Sequence, residues 1–208
     1  MELAAYIPAF VTLFVVIDPI GLTPLFVALT QGIGDRQRRL IAVRSVVVAF
    51  GILLLFGLAG EAVLNFLGIS MPAFRMAGGI LLFLTALDML FERRKQRRQG
   101  QADSAQSEEA HQDPSVFPLA IPLIGGPGAI ASMILLTGQD TGIGHIAAVH
   151  GVMMLVLLIV LALFLLAAPL ERLLGDTGIN VVTRLLGMLL AALSVQFVID
   201  GMRDLQVI

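Results

Sequence analysis

The residues best placed to do chemistry stand inside an apolar run: Val15-Val16-Ile17-Asp18-Pro19-Ile20-Gly21-Leu22-Thr23-Pro24-Leu25-Phe26. Proline lacks an N–H and clashes with the preceding turn, so two prolines and a glycine so close together predict an interrupted helix. Asp18-Pro19 reads as an N-cap followed by proline at the first helical position, and Thr23-Pro24 as a second such start. A matching run, Ile121-Pro122-Leu123-Ile124-Gly125-Gly126-Pro127-Gly128-Ala129, recurs later in the chain. A helix that restarts there presents unpaired N–H groups and a partial positive charge. Two such ends facing each other suit an anionic group such as a carboxylate. Freed carbonyls and the Asp18 carboxylate suit a cation, either a solute ammonium or a coupling ion. The candidate binding residues are therefore Asp18, Pro19, Gly21, Thr23, Pro24, Pro122, Gly125, Gly126, Pro127 and Gly128, and together they describe a receptor for a small zwitterion. The competing readings are a purely structural N-cap at Asp18 and packing kinks at the prolines and glycines.

The elements that must position these residues are apolar helices. Of the 208 residues, 58% are hydrophobic and 13% charged, against about 45–50% and about 25% in ordinary soluble domains. Too little polar material remains to cover a soluble fold. Six apolar segments are evident: Leu3 to Thr30, Leu40 to Leu67, Pro72 to Phe91, Phe117 to Thr137, Ile143 to Leu170 and Val181 to Met202. Each meets the roughly 20 residues needed to cross a hydrocarbon core of about 30 Å. Helices are the expected conformation, because lipid cannot satisfy open strands and no segment alternates with period two. At that depth an ionisable Asp18 is a functional candidate by default. There is no cysteine, and the three histidines (His111, His145 and His150) are scattered, so thiolate metal sites, iron–sulfur clusters and a His-rich metal site are excluded. No Ser/His, Cys or paired-Asp constellation falls at membrane depth, which argues against an intramembrane enzyme.

The two halves of the chain resemble each other. Pro19 and Pro24 match Pro122 and Pro127; Glu61, Gly68 and Ile69 match Glu171, Gly178 and Ile179; Arg75, Gly78 and Thr85 match Arg184, Gly187 and Ser194. The offsets are 103, 110 and 109 residues, in the same order along the chain. Three spans per half is an odd number, so the second half must enter the membrane from the opposite face, an inverted repeat of the kind found in secondary transporters. The expected organisation is a first three-helix repeat at 1–91, a disordered cytoplasmic linker at 92–115 and a second three-helix repeat at 116–208. The linker opens with the basic run Arg93-Arg94-Lys95-Gln96-Arg97-Arg98, read as a topology anchor. Arg75 and Arg184, with Asp88 and Asp200 near the far ends of the same spans, are candidates for gating or for pairing between the halves.

At these residues the sequence resembles the MarC family of inner-membrane proteins, also grouped as small neutral amino-acid transporters. The likeness lies in FVVIDPIGLTPLFVALT (Phe14 to Thr30), LGISMPAFRMAGG (Leu67 to Gly79), PLAIPLIGGPGAIA (Pro118 to Ala131) and RLLGMLLAALSVQFVIDG (Arg184 to Gly201), which together span nearly the whole chain. The resemblance implies six helices, a bacterial or archaeal cytoplasmic membrane, no enzymatic chemistry and transport of small neutral amino acids such as glycine, alanine or serine. The family's motif residues fall here on Asp18, Pro19, Gly21, Pro24, Arg75, Gly78, Pro122, Gly126, Pro127 and Gly128. Many relatives carry Asn where this chain has Leu22, a departure that bears on specificity if the position touches solute. The expected function is alternating-access transport of a small zwitterion. The partners are the lipid bilayer and the solute, with no nucleic acid and no cofactor; the coupling ion, a proton or sodium, and the oligomeric state stay open. The alternatives are a non-transporting structural or regulatory membrane protein and a passive channel.

Eleven of the thirteen Lys and Arg residues fall on the side of the membrane that holds the 92–115 connection, leaving Arg75 and Arg203 on the other. The positive-inside rule then places both termini outside. A reporter active only in the cytoplasm is expected to work when fused at Gly100 and to fail when fused after Ile208; activity at the C-terminal fusion overturns that orientation.

Overall fold

The computed structural model describes residues 3–94, 96–100, 113–140 and 142–206, and none of these forms a β-strand. A 3-10 turn at Leu3–Tyr6 leads into α1 (Ile7–Ile17), and α2 (Pro19–Leu29) restarts after Asp18 alone. The long helix α3 (Asp35–Phe66) and α4 (Met71–Leu90) complete the first half. The second half opens with an irregular coiled segment, α5 (Ser115–Ile124), followed by α6 (Pro127–Thr137), α7 (Ile143–Leu165) and α8 (Ala167–Asp204). Within α5, Phe117 and Ile121 are extended, because a residue before proline is driven out of the helical region. Within α8 the helix turns at Gly175, whose φ of 58° glycine takes without a Cβ clash.

Five helical stretches are long and apolar enough to cross a membrane: Ile7–Leu29, Asp35–Phe66, Met71–Leu90, Ile143–Leu165 and Thr177–Asp204. The α5–α6 pair, bent by 55°, makes a sixth span if counted as one. These correspond to the six expected segments. Two expectations need correction. The chain does not restart at Thr23-Pro24; α2 runs straight through Pro24. The Thr23 hydroxyl donates to the Pro19 carbonyl at 3.0 Å, an added bond in the turn that Pro24 weakens. The 92–115 connection is not featureless either: residues 93–94 and 96–100 are helical and Ser115 already belongs to α5, whereas residues 101–112 lie outside the described residues. Where the chain re-enters, Asp113 accepts the Ser115 N–H at 3.0 Å and pairs with Arg44 at 2.9 Å. Burial works against the Asp113 charge, but the Ser115 N–H and the Arg44 guanidinium hold its carboxyl below the usual range.

The broken span lies at the centre. Its most apolar window is 61% buried, against 22–39% for the other four. Thr12, Leu13, Val15, Val16 and Ile17 of α1 are buried, as are most residues of α6. Phe26 of α2 stacks on Phe164 of α7 with ring centroids 4.3 Å apart. Outward faces carry Val47, Leu55, Ile80, Leu84, Leu155, Leu158, Leu185 and Leu189, all exposed, as a lipid-facing surface requires.

Helices α4 and α8 run antiparallel along each other. Gly201 faces Pro72 and Met76, Gly79 faces Ser194 and Val198, and Gly187 faces Ala86 and Met89. A Cβ at Gly79 would stand 2.8 Å from the Ser194 carbonyl oxygen, which is backbone and cannot swing aside. Small residues thus set the spacing of this pair, as expected between membrane helices. Gly79→Val is expected to lower stability by about 1–3 kcal/mol, the usual range for overpacking. Gly51→Val, at a position with nothing within 4 Å, serves as the control. Thermal unfolding of the purified protein measures both, and equal shifts would contradict the close approach.

Candidate functional site

The break between α1 and α2 is a single residue. Asp18 adopts φ 59° and ψ 64°, the left-handed region that Asp and Asn tolerate better than most. Its N–H donates to the Phe14 carbonyl at 2.9 Å and so ends α1, while its side chain accepts the Gly21 N–H at 3.1 Å and so starts α2. Gly21 has no substitute here: a Cβ would run into the Asp18 carboxylate. The sequence reading of Asp18 as the N-cap before Pro19 matches this geometry.

Asp18 is only 1% exposed, and a buried carboxylate needs a partner. Arg98 supplies it. One terminal nitrogen of Arg98 donates to Asp18 Oδ2 at 3.1 Å and the other to the Ile17 carbonyl at 3.2 Å. Arg94 donates to the Val16 carbonyl and to the Met89 sulfur. The carbonyls of Val16 and Ile17, which the break leaves without helical partners, are therefore met by two guanidinium groups at the negative end of α1. Both arginines come from the helical turns at 93–94 and 96–100, where the i, i+4 spacing puts them on one face. The sequence reading missed them, because a basic run after a span looks like a topology anchor. Two signals pointed the other way: the i, i+4 spacing, and an aspartate at membrane depth with no partner yet assigned.

Two cavities meet at these arginines. One, of about 380 Å³, is lined by Asp18, Gly21, Pro24, Asn180, Thr183 and both guanidiniums. The other, of about 470 Å³, is lined by Pro122, Gly126, Pro127 and Gly128, with Thr85, Asp88, Arg97 and the same two guanidiniums. The start of α6 faces this second space with Gly126 extended at the N-cap and no side-chain cap bond. The expected site residues thus divide. Asp18, Gly21 and Pro24 line one cavity, and Pro122, Gly126, Pro127 and Gly128 the other. Pro19 and Thr23 are buried in α2 and line neither; Gly125 also lines neither, its N–H donating to the Ala120 carbonyl at 2.9 Å. Among the described residues no three His, Asp or Glu side chains cluster as a metal site would need.

Of the candidates for gating or for pairing the halves, both arginines form ion pairs between α4 or its end and α8. Arg75 of α4 pairs with Asp204 of α8 at 2.5 Å, and Arg184 of α8 pairs with Glu92 just past α4 at 2.7 Å. Asp88 is instead held by Arg97 at 3.1 Å, and Asp200 accepts from Gln196 at 2.8 Å.

Apolar outer faces, a central helix broken by a buried charge and cavities on both sides of it define an α-helical multi-pass membrane protein. The chain belongs to the MarC family: the model for "MarC family integral membrane protein" matches residues 3–206. It is 37% identical over 208 residues to a UPF0056 membrane protein of Archaeoglobus fulgidus, covering 98% of this chain and 97% of that one. It is 34% identical to the UPF0056 membrane protein YvbG of Bacillus subtilis, covering 99% and 97%, and 34% identical to the UPF0056 inner membrane protein YhgN of Escherichia coli, covering 95% of each. No solved structure matches the chain.

Removing one partner of a buried ion pair strands the other charge. Asp18→Ala and Arg98→Ala are each expected to lower stability by about 3–5 kcal/mol. The double substitution should cost clearly less than the two single losses together. Denaturation of the purified protein in detergent reads all three, and strictly additive losses would show that the pair does not act as a unit.

Proposed function

We propose that the protein is a secondary transporter of small neutral amino acids or similar zwitterions, working by alternating access in a bacterial or archaeal cytoplasmic membrane. The observation that carries the reading is the Asp18–Arg98 pair, buried at a helix break and opening onto a cavity of about 380 Å³. A buried carboxylate and guanidinium can part only if something replaces each charge, since a lone buried charge is costly. A zwitterion offers both replacements in one molecule: an ammonium for Asp18 and a carboxylate for the guanidiniums. The cavity is of a size to take a small solute.

The inverted repeat belongs to the same proposal. The matched breaks at Asp18 and at Gly125–Gly126, and the antiparallel α4–α8 pair clasped at one end by Arg75–Asp204 and at the other by Arg184–Glu92, support it. Two halves so related can rock against each other about a central site, exposing it to one side and then the other. In the orientation expected from the basic residues, the 92–100 stretch lies on the cytoplasmic side and both termini lie outside.

Reconstituted into liposomes, the protein is expected to take up labelled glycine, L-alanine or L-serine saturably, and an imposed proton or sodium gradient should change the rate. Asp18→Asn should abolish uptake while the protein still inserts. Saturable flux indifferent to either gradient would favour a passive carrier or channel, and no flux of any solute would favour a structural role.

A further inference from the structure

Of the three arginines that line the two cavities, Arg94, Arg97 and Arg98, one stands outside the ion pairs. Each acid that lines them already holds a cation: Asp18 has Arg98, Asp88 has Arg97 and Glu92 has Arg184. Arg94 is different. Its terminal nitrogens donate to the Val16 carbonyl and the Met89 sulfur, and the described residues give it no carboxylate within ion-pair distance. Yet it lines both cavities. A guanidinium whose partners are a neutral carbonyl and a thioether retains much of its capacity to bind a planar oxyanion, which it does bidentately when one is offered.

A second, independent feature points the same way. The second cavity, of about 470 Å³, also holds the start of α6, where Gly126 is the N-cap and no side chain caps the turn. The backbone N–H groups of a helix's first turn have no helical acceptor, and they favour negative charge. The uncapped turn and a guanidinium outside any ion pair therefore line one space. Gly128 and Val16, which both line that space, pack close together there: a Cβ at Gly128 would stand 3.2 Å from the Val16 side chain.

We propose that Arg94 is the receptor for the acid group of the solute, and that a carboxylate seated between Arg94 and the start of α6 is the part of the solute the site requires. The proposal rests on the transport reading only for the identity of the solute, since carboxylate binding is measurable without flux. It adds an order of importance to that reading. The carboxylate supplies the counter-charge that Arg94 lacks. The ammonium finds Asp18 already paired and gains it only by taking the place of Arg98. Small carboxylates without an amine should therefore bind, and amines without a carboxylate should not.

The test uses the full-length protein purified in detergent, with thermal stabilisation as the readout and L-alanine, propionate and L-alaninamide as probes. L-alanine and propionate are expected to raise the melting temperature in a saturable way, with L-alaninamide giving no shift. Arg94→Gln should weaken the apparent affinity for both carboxylates by about tenfold or more, the loss expected for a charge-assisted contact. Arg36→Gln, on the surface at the start of α3, should leave it unchanged. Should Arg94→Gln fail to fold, the three probes on the unaltered protein still decide the matter. Stabilisation by L-alaninamide equal to that by L-alanine, no stabilisation by either carboxylate, or unchanged carboxylate affinity in Arg94→Gln overturns the proposal. Carboxylate binding of the expected pattern without flux in liposomes overturns the transport reading instead and leaves the receptor standing.

Discussion

A helix interrupted inside lipid exposes backbone groups that lipid cannot satisfy, and every other feature of this molecule is arranged around that constraint. Among the carbonyls the interruption strips of helical partners are those of Val16 and Ile17, and it introduces one carboxylate. Two arginines from another segment answer all three. Had the break been a simple kink, no charge would be needed at the centre. With Asp18 there, the turns at 93–94 and 96–100 must fold back against the break, α1 and α2 must be enclosed by α6, α7 and α8, and the cavities open where backbone regularity is lost. Buried charge of this kind is a poor source of stability, because desolvation offsets most of the attraction. Its retention at the centre of a protein otherwise so apolar is what directs attention to a solute.

Much of this was legible in the residues, and the part that was not has a physical reason. Six spans, the cap at Asp18 and the break before Pro127 follow from local chemistry: apolar length, the missing proline N–H and the affinity of aspartate for a helix start. The ion pair does not. Arg98 lies 80 residues from Asp18, and in RRKQRR no single arginine differs from its neighbours by type. Only the fold selects positions 94 and 98 for the break and position 97 for Asp88. The Arg75 and Arg184 pairings show the same division. Their matched spacing marked them as candidates for pairing between halves, but nothing in type or spacing marked the acids they reach, Asp204 and Glu92, while Asp88 and Asp200 are engaged closer to home.

The α4–α8 pair gives the centre its frame. Glycines bring the two helices close, and one ion pair near each end limits sliding along the shared axis. The clasps are partly exposed, so each contributes little to stability by itself. Their value lies in register: they tie the end of each half of the chain to the start of the other half's last long helix.

The position of the arginines in the chain also fixes an order of events at birth. Asp18 enters the bilayer with the first span, while its partner is still unmade. At roughly 5–20 residues per second, the 80 residues separating it from Arg98 take about 4–16 s to synthesise. For that interval the first span carries an unneutralised carboxylate near its middle, a burden of about 3 kcal/mol on insertion scales that roughly half a dozen neighbouring Val, Ile, Leu and Phe residues can outweigh. The apolar richness around Asp18 therefore serves the nascent chain as well as the finished one. The segment that later neutralises Asp18 emerges before any residue of the second half, so the heart of the site can assemble while half the protein is still to come.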